Sequence, residues 1–244
     1  MSLRLLKRPI NLASRAPISQ LRLQSGQAQT SHDLPSFPSR WFADLQAQLK
    51  KFTSDDYPSS CVEEAKRQLM SNEQNWLQLL AGQQGFLTDK KWRGLDNHQL
   101  LWGDMDSMGN LDAAQHHKAQ WDDLVTPRSL GLILKSITTE YKFPLEFPDH
   151  ITVLYKLLEA PTNESTSLKM EAWILSEQYR RLAARCIDDT AIYDYTTAKK
   201  TVLKPFMVEK FQQTFSMQQA NQIKYTDQAK QAIEAARELQ KKYT

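Results

Sequence analysis

Two aspartates one residue apart, Asp104 and Asp106, lie in the run LWGDMDSMG from Leu101 to Gly109. Carboxylates so placed are candidates for proton transfer or nucleophilic attack. Gly, Asp, Ser and Asn also build ordinary turns and helix caps, and on composition alone the turn is the plainer reading. His116-His117 invites a metal, but adjacent side chains on a helix point in different directions and no acid lies at the HExxH offsets, so no metal is expected. Arg180, Arg181 and Arg185, with Lys142, supply positive charge; the plain reading of Arg180 and Arg181 is a polar hairpin tip. Lys199-Lys200 beside Lys204 reads as an exposed turn. The chain has no GxSxG for serine-hydrolase chemistry. Its seven glycines form neither GxGxxG nor GxxxxGK[ST], which argues against a glycine-rich phosphate loop.

The elements that would position these residues fall into three stretches. From Pro38 to Gly85 the chain reads helical: Pro58-Ser59-Ser60 is a start signal, Val62, Ala65, Leu69, Trp76 and Leu80 recur at helical spacing, and Gly82 closes the pattern. Trp76 reads as a core anchor. From Gly85 to about Lys204 the period becomes two. The runs LGLILKSITTEYKF, HITVLYKLLEA, SLKMEAWILSE and RLAARCIDDTAIYDY read as long strands. Their turns are Pro144 to Asp149, Pro161 to Thr166 and Gln178 to Arg181. Turns this short permit only antiparallel neighbours, giving a meander of three strands with an earlier strand near His98 to Trp102. From Pro205 onward Phe206, Val208, Phe211, Phe215 and Met217 form an apolar stripe on a helix that turns polar; such a tail most simply caps its own domain. The fold class is α+β.

The 244 residues, 41% hydrophobic and 24% charged, suit one domain with a sizeable core and an appendage. No run approaches the roughly 18 apolar residues that span a bilayer. The net charge of +3 is unevenly spread. Residues 1–32 hold Arg4, Lys7, Arg8, Arg15 and Arg22 and no acid; the remainder has 26 basic against 28 acidic residues, a net of −2. The body thus gives no electrostatic case for nucleic acid. The basic, acid-free start, with Leu3, Leu6 and Ile10 at helical spacing and charges interrupting its leucines, has the composition of a mitochondrial transit peptide rather than a secretory signal. Cys61 in a helical pattern and Cys186 in a strand pattern, with no CxxC, suggest neither a metal site nor a disulfide framework. The Asn163-Glu164-Ser165 triplet matches a glycosylation acceptor, which would be idle in the matrix.

LWGDMDSMG, the run TPRSLGLILKSITTEYKFPLEFPD from Thr126 to Asp149, and SEQYRRLAARCIDDTAIYDY together resemble the hotdog-fold acyl-CoA thioesterases of the four-hydroxybenzoyl-CoA thioesterase type. The similarity covers about Leu100 to Phe211 and looks like a mitochondrial fungal member. It implies an antiparallel sheet wrapped around a central helix, and hydrolysis of acyl-CoA thioesters. By position, Asp106 would be the base or nucleophile, with Asp104 structural. The backbone N–H groups of Gly109 and Asn110 would polarise the thioester carbonyl at the positive end of the helix dipole. Arg180, Arg181 and Arg185, with Lys142, become candidates to meet coenzyme A phosphates; both this and the hairpin-tip reading stand. Coenzyme A enters as part of the substrate, with no other cofactor. The resemblance implies at least a homodimer, since family sites form between protomers.

The chain departs from its relatives after Gly109. Many continue GDMDxxGH-V-N-N into a long aromatic-rich helix, whereas here the text is MGN-LDAAQHHKAQWDDLVTPRSLG. A helix crossing five strands needs about 13 to 16 residues. Asn110 to Val125 barely supplies them, with a thin inward face of Leu111, Ala114, His117 or Lys118, Trp121 and Leu124. A shortened central helix is therefore expected, either lost with its activity in the lineage or reflecting a skipped exon or a mis-drawn gene model. The expected organisation is a transit peptide over 1–33, a helical extension over 34–85, a hotdog domain over 86–204 and a second helical extension over 205–244. The rival to the enzyme is a catalytically impaired hotdog module serving as a binding or structural subunit of a mitochondrial complex.

Overall fold

The computed structural model describes residues 36–99, 118–124 and 126–243. The expected transit peptide over 1–33, Asp104, Asp106, Gly109, Asn110, His116 and His117 lie outside the described residues. So does most of the expected central helix.

The first stretch is helical, as its spacing predicts. Helix α1 spans Trp41–Lys51, α2 Ser59–Gln74 and α3 Trp76–Leu80. Pro58 sits at the N-terminal flank of α2, where a fixed φ and a missing N–H cost nothing. Trp76 is buried among Leu45, Leu49, Phe52 and Leu80. Gly82 opens a 3₁₀ turn, and the stop is set by Gly85, whose φ of 89° few other residues adopt.

Among the described residues the strands form one antiparallel sheet: β1 (Arg93–Gln99), β2 (Leu130–Tyr141), β3 (His150–Leu157), β4 (Ser167–Ser176), β5 (Arg181–Asp194) and the two-residue β6 (Lys199–Lys200). Their order is β1-β3-β4-β5-β2, with β6 pairing the end of β5. The expected three-strand meander is β3-β4-β5. Strand β2 joins it beyond β5, not beside β3. The link 142–149 therefore crosses the ends of two strands, a gap of about 14 Å that eight residues span easily. The expected early strand is β1, which overlaps that expectation at His98 and Gln99.

Two cores hold the sheet. In one, Leu154 and Leu175 meet Phe86, the N-terminal helices and the C-terminal half of α5 (Pro205–Tyr243). In the other, Leu157, Leu168 and Ile192 pack on Leu203, Met207, Val208 and Phe211. Leu124 and Trp121, at the end of the short helix α4 (Lys118–Asp123), complete the second core; both belong to the inward face expected there. Helix α5 caps its own chain, as its composition suggests. Its stripe differs in detail: Met207 is fully buried and Met217 is exposed. A polar residue also lies within it, because Gln218 bonds both the N–H (3.2 Å) and the C=O (3.1 Å) of Leu157. That satisfies a buried strand-edge peptide that β1 does not reach. The architecture is α+β, a curled antiparallel sheet with helices from both ends of the chain. No described helix is long and apolar enough to cross a membrane.

Candidate functional site

The catalytic candidates Asp106, Gly109 and Asn110 lie outside the described residues, but the arginine candidates do not. All three sit at the β4–β5 hairpin, under which the 142–149 link runs. The order of the strands is what brings these segments together.

Two side chains fix this end of the sheet. Asp149, 1% exposed, accepts hydrogen bonds from the Ser176 hydroxyl (2.6 Å) and from the backbone N–H groups of His150 (2.7 Å) and Gln178 (3.2 Å). Ser176 Oγ in turn accepts from the Tyr179 N–H at 3.0 Å. The hairpin turn, with Arg180 at a φ of 46°, is thereby tied to the link. At Ala183 a register shift in β5 leaves a carbonyl that accepts from both the Lys142 and Phe143 N–H groups, at 2.8 and 3.1 Å. Such a bulge re-aims the strand beside it. Phe143 then meets Tyr179 edge to face at 4.9 Å, with the Arg181 guanidinium over its ring at 4.1 Å.

The four cations have different surroundings. Arg180 pairs with Glu73 of α2 at 2.9 Å, so it joins the helical extension to the hairpin. Arg185 lies across the sheet between Glu171, to which its Nε donates, and Glu140 at 3.8 Å. Lys142 pairs with Glu140 at 2.7 Å. Arg181 has no ion pair among the described residues, and its contact is the Phe143 ring. That ring in turn lines a cleft of about 580 Å³, together with Tyr141, Lys142, Pro144, Leu145, Ile174, Ala183 and Ala184.

On the helix-covered face the charges form a closed network. Glu171, 3% exposed, takes Arg185 on one side and Lys156 (3.1 Å) on the other, and accepts from Trp173 Nε1 at 2.8 Å. Burial pushes the Glu171 carboxyl up, but the Arg185 hydrogen bond and the Lys156 charge outweigh it and hold it below its ordinary value. Burial lowers Lys156, against the pull of Glu171. Lys156 Nζ also donates to the Gln84 carbonyl at 2.8 Å and lies 4.8 Å from the Phe86 ring centroid. On the opposite face Asp188 stands across from Met170 and Ile137, where burial raises its carboxyl.

Asp149, Glu171, Phe143 and Tyr179 were not singled out by reading the sequence. Asp149 had a signal, since it ends the Pro-x-x-x-Pro-Asp segment. Glu171 had a weaker one, an acid beside the apolar run Ala172 to Leu175. Both cysteines are free: Cys61 is buried in α2 and Cys186 lies on β5. Among the described residues no group of three or more His, Cys, Asp or Glu is placed to hold a metal.

The model of the thioesterase-like superfamily matches residues 100–211, just under half of the chain. No curated protein matches. Among solved structures, a Thermus thermophilus thioesterase complexed with coenzyme A and zinc aligns at 14% identity and a TM-score of 0.30, over 35% of this chain and 60% of that one. A probable thioesterase from Escherichia coli aligns at 20% and 0.32, over 40% and 77%. A DHNA-CoA thioesterase from Staphylococcus aureus aligns at 14% and 0.34, over 48% and 87%. The chain thus spans about three fifths of the Thermus protein's length. The curled antiparallel sheet, long C-terminal helix and N-terminal helices make the fold α+β, the class expected from the sequence.

Proposed function

We propose that the chain hydrolyses acyl-CoA thioesters in mitochondria. The observation that carries this is the superfamily match over 100–211, a span that includes GDMDSMG and the hairpin cations. Asp106 acts as base or nucleophile. The Gly109 and Asn110 N–H groups steady the oxyanion that develops when the thioester carbonyl is attacked. Arg180, Arg181 and Arg185, with Lys142, are the cations offered to coenzyme A phosphates, and neither a metal nor a further cofactor takes part. Residues 1–33 are a transit peptide to the matrix, 34–85 and 205–244 are helical extensions, and 86–204 is the catalytic domain. The enzyme works as a homodimer, a reading helped by the exposed apolar side chains of the edge strand β2.

A second reading is a hotdog module retained for binding or assembly. The helices that both chain ends pack against Leu154 and Leu175 favour it, since they commit much of one sheet face to scaffolding. The test is hydrolysis of short-, medium- and long-chain acyl-CoAs by the purified chain and by Asp106→Asn. The enzyme reading expects turnover that the substitution lowers roughly 100-fold or more. A folded chain with no turnover at any chain length leaves the scaffold reading.

A further inference from the structure

We propose that the groove between α2 and α5 binds a short, uncharged stretch of extended peptide, held by its main chain. The site stands apart from the thioester reading, because the side chains that line it lie outside residues 100–211.

Residue spacing builds the two walls. Gln68 and Asn72 of α2, and Asn75 just beyond its end, follow at steps of four and three and so share one face. Gln228 and Gln231 of α5 line the opposite wall. Ala232 and Ala235 on that wall are too small to fill the gap, which leaves a space of about 370 Å³. Five carboxamides therefore meet in one groove. Among the described residues, none that lines it carries a charge or an aromatic ring.

The protein does not use these groups up. Asn72 is 6% exposed, and no hydrogen bond among the described residues reaches its side chain. Gln68 donates from Nε2 to Glu64 at 3.0 Å, but its Oε1 is buried without a partner. Unpaired amide groups at such depth are unfavourable, so each calls for a donor or an acceptor from whatever fills the groove.

The chemistry of the walls selects the occupant. A carboxamide presents an acceptor oxygen beside an N–H donor on one planar group. Another amide answers both at once, and a peptide main chain repeats that amide at every residue. An ion would lose its hydration with no charge in the lining to offset the loss. A sugar would find no ring to stack on. From Gln68 to Asn75 the wall rises about 10 Å, the reach of about three residues of extended chain.

The test is a titration of the ¹⁵N-labelled full chain with N-acetyl-trialanine amide, an uncharged probe that offers little besides its main chain. Maltose and N-acetyl-triaspartate amide are titrated for comparison, and the side-chain amide resonances are followed by NMR. Asn72→Leu and Gln68→Met remove the hydrogen-bonding groups at similar volume and assign the two resonances by their disappearance. The Asn72 and Gln68 signals should move with trialanine and not with the other two probes. The dissociation constant for trialanine should rise about tenfold in Asn72→Leu and stay unchanged in the distant control Lys199→Ala. Because Asn72 gives up no described partner, Asn72→Leu should melt no lower than the parent, which separates lost binding from lost folding. The proposal is overturned by unmoved Asn72 and Gln68 signals at the solubility limit of the trialanine probe, or by equal affinity in the parent and Asn72→Leu. Stronger binding of maltose or triaspartate would replace the peptide with a sugar or an anion, and a clear fall in the melting temperature of Asn72→Leu would show that the amide is already paired within the protein; either result also overturns it.

Discussion

Strands β3 and β2 are built from similar residues and meet opposite fates. In β3, Ile151, Val153, Leu154 and Leu157 are all buried. In β2, Leu134 is 54% exposed, Ile137 56% and Tyr141 86%. The apolar content does not separate them; their places in the sheet do. β3 lies between β1 and β4 and is covered by Phe86, α5 and the N-terminal helices, whereas β2 has only β5 beside it. Burial follows from a neighbour on each edge and a layer on the face, and β2 lacks most of these among the described residues.

The largest way to break this comparison is truncation. Leu154→Ala removes a fully buried side chain shared by sheet and helices and should cost about 3 kcal/mol in chemical denaturation. Leu134→Ala should stay within about 0.5 kcal/mol. A comparable loss at Leu134 would mean that β2 is covered in solution, and its dependence on protein concentration would identify a second copy as the cover.

Next comes the charge network under the covered face. Glu171→Ala leaves Lys156 and Arg185 without their shared partner and should cost about 3 kcal/mol at neutral pH. The native carboxyl titrates below its ordinary value, so its contribution is present above that value and disappears as pH falls through the lowered one. The variant should accordingly show a flatter loss of stability in acid than the parent; an acid limb of unchanged slope would count against the network.

The smallest expected effect lies on the opposite face. Burial raises the Asp188 carboxyl, so the folded state binds that proton more tightly than the unfolded chain. Its stabilising contribution is complete below the ordinary aspartate value and is lost as pH rises through the raised one. Asp188→Asn, neutral throughout, should raise the melting temperature modestly at pH 7 and not at pH 3. No gain at pH 7 would mean that the carboxylate has a partner on that face.

Much of this molecule was legible by periodicity. The step from a helical period to an alternating one at Gly85, and back at Pro205, marks the real change of structure, because side-chain spacing follows directly from backbone geometry. Pro58 and Trp76 were likewise readable one residue at a time. The position of β2 was not. Short turns suggested neighbours in sequence order, but a link of eight residues can pass beneath a hairpin as well as turn back, and local spacing does not distinguish the two. Met207 and Met217 show the same limit on a smaller scale: both suit a helical stripe, and the drift of a 39-residue helix over its partners selects one.

The sequence by itself determined the class of most described elements, the basic character of residues 1–32 and the presence of the aspartate pair and of the arginines near the hairpin. These are properties of composition and short-range spacing, which need no fold to exist. Tertiary structure alone decided which cations face which partners. Arg180, Arg181 and Arg185 read alike along the chain. In space one joins Glu73 on a helix more than a hundred residues earlier, one lies against a ring delivered by the link, and one is shared between two strands. The reason is that an ion pair or a stacked ring depends on what the sheet order brings within a few ångströms, and that order is a property of the whole chain.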